Sequence, residues 1–124
     1  MDDRFARWSF RAAAIWGLVL APPLFFLEKR IGADQPPAIT HPEYFYGFAG
    51  VVFAFQLVFL VISTDPRRYR PLMPPSLVEK LAGWTTALGL YATGRLAGQA
   101  ASLWAMDFVF FVLFLFSYWK TPAE

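Results

Sequence analysis

The stretch that decides the fold opens with His41-Pro42-Glu43-Tyr44-Phe45-Tyr46-Gly47 and closes with Asp65-Pro66-Arg67-Arg68-Tyr69-Arg70-Pro71. Between them, the 21 residues from Tyr44 to Thr64 carry no charge, and Gln56 is their only strongly polar side chain. At about 1.5 Å per residue, a helix of this length matches the roughly 30 Å hydrocarbon core of a bilayer. Polar motifs rich in proline bound it on both sides. The stretch reads as a membrane-spanning helix with a polar mouth at each end.

Composition agrees. Of 124 residues, 57% are hydrophobic, 19% aromatic and 16% charged, and the mean hydropathy is +0.43. Soluble domains average about 45–50% apolar and about 25% charged residues. A single small domain cannot hide the excess inside, so it is expected to face lipid. The net charge of +2, with no basic stripe interleaved with aromatics, argues against nucleic acid. The absence of cysteine excludes disulfides and thiol chemistry, and a single histidine argues against a metal site. No phosphate loop, nucleophile elbow or HExxH motif is present, so no catalytic residue and no cofactor is expected.

Working outward, Ala12 to Leu27 is an uncharged run of 16 residues, preceded by Arg4, Arg7 and Arg11 and followed by Glu28-Lys29-Arg30. Without a small-residue cleavage site it reads as a retained first span over residues 9–28, kinked or ended by Pro22-Pro23. Ile31 to Pro42 is a connector of turn formers, and the second span covers 43–64. Pro66, Pro71, Pro74 and Pro75 forbid a continuous helix through the next link. Ser76 with Glu79 reads as a capping box for a third helix over 77–96. The uncharged core of that helix, Leu81 to Gly94, is only 14 residues. Lys80 and Arg95 must therefore snorkel, or one of them sits inside the protein. The fourth span covers 100–119 and holds Asp107 ahead of a phenylalanine-rich tail. Gly94 with Gly98, and Gly50 with Ala54, have the spacing of close helix contacts.

The expected fold is all-α, a single domain forming an antiparallel bundle of four transmembrane helices. With four spans, eight Lys and Arg fall on the side of the termini and the middle link, against three on the other side. That asymmetry places both termini in the cytoplasm.

An unpaired Asp107 inside a bilayer costs about 2.5–3.5 kcal/mol on insertion scales, so it needs a partner, a proton or water. Arg95 is the expected partner, because a short turn brings it beside the start of the fourth helix. His41 and Glu43 flank Pro42 at the mouth of the second span, where His41 reads as an interfacial or capping residue, or else with Glu43 and Glu28 as an acid–base pair or a weak cation site. Gln56, near mid-membrane, needs another helix or a ligand polar group. Gln56, Arg95 and Asp107 are expected to project into one cavity, with His41, Glu43 and Tyr44 toward its outer mouth. Arg67, Arg68 and Arg70 are expected to touch anionic lipid headgroups.

The strings His41-Pro42-Glu43-Tyr44-Phe45-Tyr46-Gly47-Phe48, Asp65-Pro66-Arg67-Arg68-Tyr69-Arg70-Pro71-Leu72-Met73, Glu79-Lys80 and Gly94-Arg95 resemble a family of small, uncharacterised bacterial membrane proteins with four spans. In architecture that family is similar to the DoxX-like group. Phe55-Gln56-Leu57 also resembles a string in the EXPERA-type sterol proteins, although the acidic residues here do not share their spacing. The family resemblance implies a bacterial inner membrane and supplies no activity. The expectation is a protein that binds a lipid-like or other hydrophobic small molecule. The alternatives are an accessory subunit of a larger membrane complex and, more weakly, a small proton-coupled transporter using Asp107; the expected partners are membrane lipids, and other membrane subunits or further copies of the chain in a homo-oligomer.

Overall fold

Proline and glycine set the helix ends in the computed structural model, which describes residues 3–123. Helix α1 spans Arg4–Leu24 and carries Pro22 and Pro23 in its last turn. The chain then bends by 93° into the short α2, Glu28–Asp34. Helix α3 spans Pro42–Thr64 with Pro42 at its start, where the ring presets φ and the missing N–H has no helical partner to lose. A 3₁₀ turn, Arg70–Leu72, leads directly into α4, Met73–Ala92. Helix α4 ends on Gly94, whose φ of 77° suits the left-handed turn. There Gly94 N–H donates to Tyr91 O at 3.1 Å and Arg95 N–H donates to Leu90 O at 2.8 Å. Helix α5, Gly98–Lys120, completes the fold. Every regular element among the described residues is a helix.

Three local expectations are corrected. The connector after the first span is partly helical, as α2. The capping box does not form: prolines are tolerated in a first helical turn, so α4 starts at Met73, and the Ser76 hydroxyl inside it donates to Leu72 O at 2.8 Å. Gly94 and Gly98 are not a helix-packing pair, since Gly94 closes α4 and has open space where a side chain would be. Gly50 likewise has no neighbour there.

Helix α1 lies against α3 and α5, and α4 lies against α5. Near its start α1 meets the ends of both partners: Arg7 Nη1 donates to Thr64 O at 2.7 Å, and Lys120 Nζ lies 4.7 Å from the Phe5 ring centroid. The pairs are therefore antiparallel, and the two ends of the chain share one end of the bundle with the 65–72 link. Ala6, Phe10, Ala13, Ala14, Gly17 and Ala21 form the buried face of α1. Its small residues allow the backbones to approach. The core is aromatic. Phe10 stacks on Phe114 with ring centroids 4.0 Å apart, and Phe59 meets Phe114 edge-on at 4.9 Å.

Helix α3 is long and apolar enough to cross a membrane, with a mean hydropathy of 2.3 over its most apolar window, only 22% of which is buried. Among the described residues it is the one helix to do so alone, since α1 and α2 meet the same standard only as a bent pair. Outside the core, large apolar side chains stay exposed all round: Trp8 at 63%, Val19 at 66%, Val78 at 63% and Trp119 at 79%.

Candidate functional site

The strongest concentration of buried charge lies inside the α4–α5 hairpin. Lys80, on the inward face of α4, is 4% exposed. Its Nζ lies 3.1 Å from Asp107 Oδ1 of α5 and 3.6 Å from Glu79 Oε2. The ring centroids of Phe59 and Phe110 stand 5.1 and 5.4 Å from the ammonium, so aromatic faces cover the sides the carboxylates leave open. Gly83 makes the pairing possible. A Cβ at that position would collide with Asp107 Oδ2.

This overturns the expected partner of Asp107. Arg95 lies exposed in the turn after α4, held there by the Gly94 turn, whereas the long lysine stem reaches inward from mid-helix. The other half of the expectation holds, because one of the two cations bounding the uncharged core of α4 does sit inside the protein. With both acids ionised the cluster carries one more carboxylate than it has cations. Glu79 Oε2 is buried without a hydrogen bond, so the arrangement can accept a proton or a donor. Among the described residues no group of His, Cys, Asp and Glu could hold a metal ion.

Gln56, Arg95 and Asp107 do not share a cavity. Gln56 is 2% exposed and lies against Gly17 of α1, where a Cβ would collide with its amide. Its Nε2 donates to Val52 O of its own helix at 2.8 Å, and its Oε1 is buried without a donor. Gln56 thus sets the α1–α3 approach. At the mouth two separate contacts form, and the His41 side chain makes no capping hydrogen bond to α3. His41 Nδ1 lies 3.2 Å from Glu43 Oε1, the His41 and Tyr44 rings are 5.1 Å apart, and Tyr46 OH donates to Glu28 Oε1 at 3.0 Å. All are exposed or nearly so. Asp107 is apart from them, nine residues into α5 and roughly 14 Å along its axis.

At the opposite end, Arg70 is committed to the end of α5. Its Nε donates to Thr121 O at 2.6 Å, its Nη2 donates to Tyr118 O at 3.3 Å, and its guanidinium lies 4.0 Å from the Tyr118 ring centroid. Arg67 and Arg68 line a recess beside it.

Sequence reasoning missed an aromatic groove of about 340 Å³ between α4 and α5, walled by Trp84, Leu88 and Tyr91 on one side and Trp104 and Phe108 on the other. Trp84 meets Phe108 edge-on at 5.1 Å. The available signal was spacing, because Trp84, Leu88 and Tyr91 fall on one helical face and Trp104 and Phe108 on another. No charge draws attention to it.

No family model matches the chain, and no curated protein or solved structure matches it either.

Proposed function

We propose that this chain is an integral membrane protein that binds a hydrophobic or lipid-like small molecule in the α4–α5 groove. The groove carries the reading: it is half-open, aromatic on both sides, and within the roughly 300–1,000 Å³ range of small-molecule sites. Tyr91 supplies the one hydroxyl on its described walls and Trp104 an indole N–H, whereas Trp84 contributes its apolar ring, its Nε1 being buried. That chemistry suits an apolar body with one or two acceptor groups. Membrane placement is supported by α3, which is apolar on every side yet 22% buried in its most apolar window. A core helix of a soluble protein would be mostly covered. The exposed apolar belt and the resemblance to small four-span proteins of the bacterial inner membrane point the same way, with both termini cytoplasmic.

The test is native mass spectrometry on protein extracted gently from its own membrane. A discrete small-molecule adduct is expected, and it should be lost in the Trp84→Ala/Trp104→Ala double variant. Retention of the same adduct by that variant would remove the groove as the site.

A second reading, an accessory subunit, is favoured by the outer face of α3. There Gly47 and Gly50 have nothing within reach of an added Cβ, and Ala54 is exposed. Such small residues let a further helix approach. Co-extraction with other chains, and loss of stability without them, would favour this reading over the first.

A further inference from the structure

We propose that the cluster of Glu79, Lys80 and Asp107 inside the α4–α5 hairpin is a proton-binding site, which at neutral pH holds one proton on the Glu79 carboxyl. Both acids approach the same nitrogen. Lys80 Nζ lies 3.1 Å from Asp107 Oδ1 and 3.6 Å from Glu79 Oε2. The lysine side chain is 4% exposed and each acid 18%, so water screens the three charges poorly. The Lys80 ammonium and the Asp107 carboxylate are the charged groups that act on Glu79. From α3 the cluster meets the apolar ring of Phe59, and from α5 that of Phe110. The 3₁₀ turn also packs against α4, but its Arg70 donates to the end of α5.

One ammonium neutralises one carboxylate, and a second ionised carboxylate leaves an uncompensated charge where the dielectric is low. A buried acid in that position takes up a proton rather than stay charged. The two distances decide which acid carries it. Asp107 Oδ1 accepts a hydrogen bond from the ammonium and keeps its charge. Glu79 Oε2 is buried and accepts none, so its charge is the less compensated of the two. Loading is a balanced step: a proton from water bonds to a Glu79 carboxyl oxygen, no other bond breaks, and the cluster goes from one net negative charge to none. The partial exposure of the Glu79 side chain gives that proton a way in. Glu79 lies six residues into α4, roughly 9 Å from its start, so the way in is from the end of the bundle that holds the 65–72 link. Loading and release switch the interior of the hairpin between neutral and anionic. Nothing in the site depends on what the α4–α5 groove binds.

The experiment is infrared spectroscopy at neutral pH on the full chain in detergent micelles. Its glutamates are labelled with heavy carbon in the side-chain carboxyl, so that protonated glutamate is read apart from protonated aspartate. The native chain should show a protonated-glutamate band, and Glu79→Gln, which keeps the shape of the protonated acid, should lose it. Asp107→Asn should lose the band as well, because Lys80 is then left to Glu79 alone and Glu79 ionises. The Lys80→Met/Asp107→Asn variant removes the cation too, and the band should return. Glu43→Gln, exposed at the opposite end of the bundle, should leave it unchanged.

A native chain without the band, or a band that Glu79→Gln retains, overturns the site. A band that persists in Asp107→Asn shows a proton held by burial alone and overturns the sharing of one ammonium by two acids, as does a band that fails to return in the double variant. Thermal unfolding checks that each chain is folded before its spectrum is read. Should Asp107→Asn not fold, the native and Glu79→Gln spectra still decide whether the proton is there.

Discussion

Lys80 Nζ lies 3.1 Å from Asp107 Oδ1 across the α4–α5 hairpin, and Gly83 gives the carboxylate room to sit against α4. Removing one member of a buried pair strands the other, at about 3–5 kcal/mol. Lys80→Met should therefore lower the unfolding temperature in micelles more than Asp107→Asn, because it leaves two carboxylates facing each other without a cation. The Lys80→Met/Asp107→Asn double variant should recover part of the loss. Additive single losses would show that the two side chains do not interact.

Gly17→Ala should destabilise the α1–α3 pair by about 1–3 kcal/mol, the usual range for overpacking, since the new methyl collides with the Gln56 amide. Gln56→Ala in the same chain should relieve much of that cost. Gly50→Ala, with open space around it, should be near neutral. Thermal unfolding of the four chains separates these outcomes. A Gly50 variant as unstable as the Gly17 variant would refute the assigned packing.

Acid should expose the Asp3–Arg7 pair. The hydrogen bond from Arg7 holds the Asp3 carboxyl below the usual carboxylate range, so its stabilising contribution is complete above the unfolded value of about 3.9 and is lost as pH falls through the folded value. The stability difference between the native chain and Asp3→Asn should therefore be constant from neutral pH down to about pH 5 and shrink toward zero on further acidification. A difference that grew in acid would contradict the pairing.

The chain contains no cysteine, so single introduced cysteines report topology without background. Asp34→Cys should react only with reagent supplied from outside the cell, and Arg68→Cys only after access from the cytoplasm. Labelling of Asp34→Cys solely from the cytoplasm would invert the proposed orientation.

The long-range features of the fold were readable because they follow from length and hydropathy, as with the uncharged run ending at Thr64 and the shared location of the chain ends and the 65–72 link. What escaped was set by side-chain reach and by backbone direction at single residues. Arg95 is closer in sequence to Asp107 than Lys80 is, but the left-handed turn at Gly94 leaves it outside the bundle, while a lysine stem projects inward from mid-helix. The glycines chosen by spacing, Gly50 and Gly94, pack against nothing. The ones that matter, Gly17 and Gly83, are marked only by the amide and the carboxylate opposite them. The aromatic groove stayed hidden because tryptophan and phenylalanine look alike in sequence whether they face lipid, core or ligand.

The ionic pair has both members in α4 and α5, consecutive helices joined by a short turn. During synthesis, the hairpin that carries Asp107 therefore also carries its cation. That ion pair can form within one unit, without waiting for the first half of the chain, which adds the Phe59 ring beside Lys80. The α1–α3 half likewise keeps one bond of its buried amide local, since Gln56 Nε2 finds its acceptor within its own helix. The molecule is thus divisible at the 65–72 link into two helical halves that meet along α1 and α5. Co-expression of the two fragments should rebuild the bundle.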